Sequence, residues 1–132
     1  SAKVCNEIAE QFGVTLAPMQ ASDNDSTHIA LEGAHIVFGA GKTGIQLLGV
    51  EQWQQHSTLE VLADANTAPP PGFDGIDIMD KSTERFGKKI FGGIGIGALK
   101  LKLHRICVGK LFESNNQVLD AEAIYEIAQK MI

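Results

Sequence analysis

The alternation of strand-like and helix-like segments is the feature that most constrains how this chain can fold. Three short, largely apolar runs at residues 35–38, 59–63 and 89–91 have the composition of buried strands. Segments with helical spacing lie between and after these runs. Strands that are apolar along most of their length are typical of a parallel sheet covered by helices and joined by right-handed crossovers. The sequence therefore predicts an α/β fold.

Local signals set the expected bounds of the other elements. Val4, Ile8 and Phe12 are spaced to share one face of a helix. That helix is predicted over residues 3–12, and Gly13 is its expected C-terminal stop. The remaining predicted segments are a short strand at 14–17, helices at 22–31, 43–53, 98–112 and 120–131, and a proline-containing loop at 67–87.

Size, charge and cysteine content exclude several classes of function. At 132 residues and 14.1 kDa the chain has room for one domain. Its net charge of −5 argues against partners such as nucleic acid or an anionic membrane, which need clustered Lys and Arg. An apolar run of the roughly 20 residues needed to span a bilayer is missing. Cys5 and Cys107 are isolated, so we expect neither a disulfide framework nor a metal site, and a cytoplasmic location fits best.

The turn after the first apolar run carries Gly39-Ala40-Gly41-Lys42-Thr43, which resembles the end of a phosphate-loop signature. The full motif is G-x-x-x-x-G-K-[ST], and Ile36 stands where its first glycine belongs. Without that glycine the backbone cannot wrap the phosphates, which weakens the hypothesis of a nucleotide hydrolase. Two interpretations remain: a glycine-rich surface against which a flat ligand lies, or a tight turn only.

A second glycine run, Gly93-x-Gly95-x-Gly97, follows the last predicted strand. Its spacing departs from the dinucleotide fingerprint G-x-G-x-x-G, so we favour a close backbone approach to a ring over a pyrophosphate cradle. Lys100 is expected in the first turn of the next helix, where a cation opposes the macrodipole by roughly 0.3–1 kcal/mol. Either Lys100 has a functional role at this unfavourable end, or it is an ordinary surface lysine.

Polar residues end the middle strand of the predicted sheet. Asp64 and Asn66 follow the run at residues 59–63. Open α/β sheets hold ligands at the carboxyl ends of their strands, and an Asn amide suits a bidentate contact with a carboxamide. Asn is also favoured in turns near proline, so Asn66 has both a functional and a structural interpretation.

Longer stretches of the chain resemble one enzyme family. The run from Val61 to Asn66 leads into Pro69-Pro70-x-Gly72, and residues 91–105 read FGGIGIGALKLKLHR. Together these stretches resemble the C-terminal part of the bacterial NAD(P)-dependent methylene-tetrahydromethanopterin dehydrogenases of one-carbon metabolism. Residues 34–41 are similar to the fourth strand of that family and its following turn. The resemblance extends over essentially the whole chain.

The resemblance implies a Rossmann-like domain and an oxidoreductase. Such an enzyme passes hydride between the methylene bridge of a reduced pterin, or sometimes a folate, and NADP or NAD. Lys100 matches a lysine that reaches into the pterin cleft, which makes it the candidate catalytic residue, with a positioning role rather than an acid–base one. The resemblance places the cofactor contacts at six positions: Gly39, Ala40, Gly41, Asn66, Gly92 and Gly93.

The chain departs from the family pattern at its front. Its strands correspond to the third to sixth of the parent order 3-2-1-4-5-6. Residues 1–132 are therefore expected to form a partial NAD(P)-binding domain that lacks the first two strands, their glycine-rich loop and the N-terminal pterin-binding domain. The unpaired edges predict a partner chain or missing segment, self-association as a homo-oligomer, or the third strand moved beside the fourth. A non-catalytic dinucleotide-binding or interaction module remains the alternative function.

Overall fold

The computed structural model describes residues 2–131, and within them the α/β class predicted from the sequence is confirmed. The elements, in chain order, are α1 Ala2–Phe12, α2 Asn24–Leu31, β1 Ile36–Gly39, α3 Val50–Trp53, β2 Val61–Asp64, β3 Lys81–Arg85, β4 Lys88–Phe91, α4 Gly93–Leu111 and α5 Ala121–Gln129. In the same residues, a helix long and apolar enough to cross a membrane is not found.

The four strands form one open sheet in the order β1-β2-β4-β3. β1, β2 and β4 run parallel, whereas β3 pairs antiparallel with β4. Gly39 is opposite Asp64, and Ala63 is opposite Phe91. The carboxyl ends of the three parallel strands therefore lie side by side. This open, mostly parallel sheet with flanking helices is a Rossmann-like arrangement.

One face of the sheet carries the core. Val37, Leu62 and Ile90 are in register, and Leu62 and Ile90 are completely buried. Trp53 and Phe73 pack over them, and the Trp53 indole N–H donates to the carbonyl oxygen of Asp74 at 3.0 Å. The other buried members of this cluster are Leu31, Leu48, Leu59 and Ile76.

The opposite face of the sheet is open at β1. Ile36 and Phe38 alternate with Val37 along the strand and therefore point to the other side. They expose 68% and 64% of their surface. The helices and loops that cover the core face thus leave apolar side chains of β1 in solvent.

Three predicted helices are confirmed, and so is Gly13 as the stop of the first one. α1 ends at Gly13, which has a φ of +64°. Asp23 caps α2 by accepting from the Ser26 side chain and backbone N–H, and these hydrogen bonds lower the pKa of Asp23. Asp120 caps α5 in the same way, through the backbone N–H of Ala123 at 2.9 Å.

The helix predicted over residues 43–53 is wrong for most of its length, because only the single turn of α3 forms. Gly44 has a φ of +82°, which is incompatible with a continuous helix. The backbone N–H groups of Leu47 and Leu48 donate to the carbonyl oxygen of Gly72, at 2.6 and 3.2 Å. This segment therefore makes its hydrogen bonds to the neighbouring loop rather than within a helix.

The strand predicted at residues 14–17 is also wrong, and this changes the topology. Residues 14–22 have no regular secondary structure and are exposed throughout. Among the described residues, therefore, neither the third family strand beside the fourth nor the expected two-strand gap is formed. Instead β1 has one described neighbour, β2, and its other edge is free.

The loop predicted over residues 67–87 contains a strand that the sequence did not reveal. β3 and β4 form a hairpin whose turn is Phe86-Gly87, with φ of +52° and +71° at the two positions. Two consecutive positive φ angles are typical of tight hairpin turns, but Asn-Gly or Asp-Gly is the usual sequence there. The unusual Phe at the first position explains why the hairpin was missed.

Candidate functional site

Three predicted cofactor positions meet at the carboxyl edge of the sheet. The backbone N–H of Ala65 donates to the carbonyl oxygen of Gly39 at 2.8 Å, which joins the ends of β1 and β2. A β-carbon added to Gly93 would lie 2.8 Å from the carbonyl oxygens of both Ala65 and Asn66. The structure thus brings Gly39, Asn66 and Gly93 together, as the topology requires.

The buried carboxylate of Asp64 organises this edge. It accepts hydrogen bonds from the backbone N–H groups of Asn66 at 3.0 Å, Gly72 at 2.7 Å and Phe73 at 3.2 Å. Hydrogen bonds to a carboxylate are stronger than neutral ones, and three of them satisfy most of its acceptor capacity. Asp64 therefore fixes the proline-containing loop to the end of β2.

The Asn66 amide is partly engaged by the same loop. Its Nδ2 donates to the carbonyl oxygen of Pro70 at 3.3 Å, and its Oδ1 accepts from the backbone N–H of Ala68 at 3.3 Å. A primary amide has two N–H donors and an oxygen with two lone pairs. One donor and one lone pair of Asn66 are therefore not used by these two bonds, and the residue exposes 9% of its surface.

The glycines of the β1 turn have structural reasons to be glycine. A β-carbon on Gly39 would lie 2.6 Å from the ring of Phe73, and one on Gly41 would lie 2.7 Å from the Leu47 side chain. The space on that side is already filled by apolar side chains of the chain itself. Ala40 and Gly41 are exposed, so a ligand has access to the turn from its outer side.

The local backbone also argues against the nucleotide-hydrolase hypothesis. Phosphate loops lead directly into a helix whose N-terminal N–H groups bind the phosphates. Here Lys42 and Thr43 lie in a turn, closed by a hydrogen bond from Ile45 N–H to the Lys42 carbonyl oxygen at 3.2 Å. The next helix, α3, begins only at Val50.

The prediction that the last glycine run precedes its helix is wrong, because α4 begins at Gly93. The backbone N–H groups of Ile94 and Gly95 donate to the carbonyl oxygen of Ile78, at 2.8 and 3.1 Å. A β-carbon on Gly92 or Gly95 would overlap the carbonyl oxygen of Asp77 or Asp80, respectively. The close approach at Gly92 and Gly95 is therefore made by the backbone of residues 77–80.

Lys100 lies in the middle of α4, so the macrodipole argument for its function is wrong. It is the eighth residue of the helix, roughly 10 Å along the axis from Gly93. Lys100 instead lines a groove of about 560 Å³ between α4 and α5. The other lining residues are Gly97, Leu101, Leu103, His104, Cys107 and Ile124. The structure thus separates Lys100 from the sheet-edge positions and places it beside apolar side chains.

Two buried charged groups near the sheet were not found by sequence reasoning. Asp80 forms a bidentate ion pair with Arg85 in the β3–β4 hairpin. Burial would raise the pKa of Asp80, but hydrogen bonds from Arg85, from the Asp77 backbone and from Thr83, together with the charge of Arg85, outweigh it and lower the pKa. Lys88 is buried and donates from Nζ to the His56 carbonyl oxygen at 2.7 Å. Neither position lies in a recognisable motif.

Metal ligands are not clustered in this part of the chain. Among residues 2–131, no group of three His, Cys, Asp or Glu side chains is arranged to hold a metal ion. Cys5 and Cys107 are both free thiols, and Cys107 is buried at the floor of the groove between α4 and α5.

Comparison with known proteins relates this fold to oxidoreductases. No family model matches the chain. It is 47% identical over 126 residues to the "Bifunctional protein MdtA" of Methylorubrum extorquens, covering 96% of this chain and 44% of that protein. It is 28% identical over 97 residues to the NAD(P)-dependent methylenetetrahydromethanopterin dehydrogenase of the same organism, covering 74% of this chain and 32% of that enzyme. The similarity supports an oxidoreductase-related origin. The chain spans less than half the length of either relative.

Proposed function

We propose that this chain is the second half of the nicotinamide-nucleotide-binding domain of a dehydrogenase. The complete enzyme would transfer hydride between methylene-tetrahydromethanopterin, or the corresponding folate, and NADP or NAD. The observation that carries the proposal is the meeting of three parallel strand ends at one edge, with Gly39, Asn66 and Gly93 adjacent. The similarity to a dehydrogenase of this activity supports it.

The residues at the sheet edge fit a nicotinamide ring. The exposed outer side of Ala40 and Gly41 offers a flat surface without large side chains. Asn66 keeps one donor and one acceptor for a carboxamide. The dinucleotide supplies the hydride chemistry, and these residues orient its ring. Gly92 and Gly93 would form the wall of the site behind the ring, since the chain's own backbone closes around them.

Lys100 would hold the reduced pterin rather than the dinucleotide. Its ammonium group is exposed beside an apolar groove, and α4 carries the cations Lys100, Lys102, Arg105 and Lys110 without an acidic residue. A fixed positive charge beside an apolar surface suits a substrate with a flat ring and anionic groups. In this proposal Lys100 positions the substrate for hydride transfer.

The first two strands and the pyrophosphate cradle would come from elsewhere. The free edge of β1 is the place where the missing strands of a Rossmann domain would pair. A preceding segment or a partner chain would supply those strands, and their glycine-rich loop would bind the pyrophosphate. The complete protein would work in the cytoplasm.

A non-catalytic interaction module is the second candidate function. This alternative is favoured because polar groups at the carboxyl edge of the sheet already bond to the chain itself. Asp64 accepts from three backbone N–H groups, and the Ile78 carbonyl oxygen accepts from the first turn of α4. Such a module would keep the fold and lose turnover. Hydride-transfer activity in any assembly that contains this chain would eliminate this alternative.

Calorimetric titration of the purified chain with NADP and with NAD tests the proposal. We expect dissociation constants no tighter than micromolar, because the pyrophosphate cradle is not part of the described fold. Asn66→Ala should weaken that binding further, whereas Asn116→Ala, in the exposed turn after α4, should not. Sub-micromolar affinity for either dinucleotide would contradict a half-site.

A second experiment tests the role of Lys100 in an active assembly that contains this chain. Lys100→Met should lower kcat/KM for the pterin substantially and leave the KM for the dinucleotide near its original value. Lys102→Met is the matched control, because Lys102 is exposed on the same helix and does not line the groove. Equal, small effects of the two changes would make Lys100 an ordinary surface residue.

A further inference from the structure

We propose that the open face of the sheet is a docking surface for helix α1 of a second copy of this chain. The open face is defined by the outward apolar side chains of β1, β2 and β4, namely Ile36, Phe38, Val61, Ala63 and Phe91. This inference is independent of the dehydrogenase proposal, because it rests only on surfaces that the fold leaves uncovered.

The open face is mostly apolar across three strands and carries one exposed cation, Lys89, in register with Val61. Ile36 is in register with Val61, Phe38 with Ala63, and Ala63 with Phe91, so these side chains point to the same side. Those of β1 are exposed, and those of β2 and β4 are only partly buried. Parallel sheets occur almost always with helices on both faces. A helix is therefore the element that this face requires.

Helix α1 has an apolar face that is likewise exposed. Its apolar stripe of Val4, Ile8 and Phe12 is exposed, and no residue from Ala2 to Phe12 is buried. A helix of 11 residues is marginal in water without tertiary packing. The side-chain hydrogen bond that α1 makes to the rest of the described chain, from Gln11 to Glu122 at 3.1 Å, is itself exposed. Val4 and Ile8 are therefore free to pack elsewhere, whereas Phe12 also faces α5, with which it lines a groove.

The dimensions of the two surfaces match. The stripe from Val4 to Phe12 is about 12 Å long, from eight residues at the rise of an α-helix. The open face crosses from β1 through β2 to β4, which is roughly 10 Å at the normal strand spacing. Segment 14–22, which is exposed and has no regular secondary structure, would span up to about 30 Å between α1 and the sheet of its own copy when fully extended.

The exposed area is large enough for a stable dimer. A compact monomer of this mass exposes about 6,700 Å², whereas this chain exposes 9332 Å². The excess of roughly 2,600 Å² is spread over the whole chain, and the roughly 800 Å² that each partner buries in a standard interface is about a third of it. In a two-fold arrangement each copy would donate its α1 and receive the other, so the contact closes on itself.

Sedimentation equilibrium at micromolar concentration tests the exchange of helices. The unmodified chain should be dimeric. Val4→Glu should weaken the dimer at least about tenfold, because it places a charge in an apolar contact. Asn6→Glu adds the same charge on the opposite side of α1, where it should have little effect. Val4 and Asn6 are both exposed, so neither change should unfold the monomer.

The sheet side is tested with a second matched pair. Ile36→Gln should weaken the dimer, whereas Ile29→Gln, at a similarly exposed isoleucine on α2, should not. Mixing the Val4→Glu and Ile36→Gln variants should restore part of the association. In the mixed dimer, the intact α1 of the Ile36→Gln variant would pack on the intact sheet face of the Val4→Glu variant. Only an exchange of helices between copies predicts this recovery.

Three results would overturn the proposal. The unmodified chain could be strictly monomeric at these concentrations. The dimer could persist unchanged in both Val4→Glu and Ile36→Gln, which would place the interface elsewhere. The mixture of the two variants could associate no better than either alone, which would mean that α1 and the open face do not contact each other.

Discussion

The sheet layer and the helices α1, α4 and α5 differ in how completely they are packed. The sheet, α2, α3 and the proline-containing loop share a core in which Trp53, Leu62 and Ile90 are fully buried. In contrast, α1 and α5 bury no residue between their first and last positions, and α4 buries only Cys107. The difference shows that an amphipathic pattern predicts which face of a helix packs, but not whether this chain supplies the surface against which that face would pack.

The largest expected effect contrasts a leucine from each region. Leu62→Ala removes a completely buried side chain from the sheet, and we expect it to lower the free energy of unfolding by about 2–5 kcal/mol. Leu99→Ala makes the same change on α4, where the side chain is 55% exposed, and should change stability by less than about 0.5 kcal/mol. Urea denaturation at one protein concentration compares them. A similar loss at Leu99 would mean that α4 is packed in solution.

An intermediate effect is expected where the two regions join, at the glycine run of α4. Gly95→Ala should destabilise the chain by roughly 1–3 kcal/mol, because a β-carbon would overlap the backbone carbonyl of Asp80. Gly97→Ala should instead stabilise it by about 0.5–1 kcal/mol, since its β-carbon would meet no atom within 4 Å and Ala favours the helix. Melting temperatures check the opposite signs. Stabilisation by Gly95→Ala would contradict the packing of α4 against residues 77–80.

The smallest expected effect is a loss of folding stability at acidic pH, and it concerns Asp80 beside the β3–β4 hairpin. The pKa of Asp80 is lowered in the folded state, so this carboxylate stabilises the fold above the ordinary Asp pKa of about 3.9. The contribution is lost as the pH falls through the lower, folded-state pKa. Denaturation at a series of pH values should therefore show a loss of stability below about pH 4 that is shallower in Asp80→Asn. An unchanged slope would mean that the Arg85 ion pair does not form.

The sequence was sufficient for elements whose signals are local. The stop at Gly13 and the helices that begin after Asp23 and Asp120 were predicted correctly, because each depends on a few neighbouring residues. The parallel order of three strands followed from their apolar character. The predicted cofactor positions at Gly39, Asn66 and Gly93 are adjacent in the structure because topology alone brings strand ends together.

The errors arose where distant backbone segments decide the local structure. Residues 43–49 looked helical, but the Gly72 carbonyl takes their hydrogen bonds. The helix after β4 was placed five residues late, because Gly93 and Gly95 looked like a loop and are instead helical glycines, pressed against residues 65–67 and 79–80, respectively. The assignment of Lys100 to a helix start failed for the same reason. None of these contacts leaves a short-range signal in the sequence.

The β3–β4 hairpin also decides how far the sheet can grow. β3 forms one edge of the sheet and carries Lys81, Glu84 and Arg85, with an irregular register at Ser82, whose φ is +58°. Charged side chains and bulges on an edge strand oppose pairing with further chains. β1, at the other edge, has apolar side chains and no such protection. Strand addition can therefore occur on one side only, so any assembly by this route stops after one event and does not propagate into a fibre.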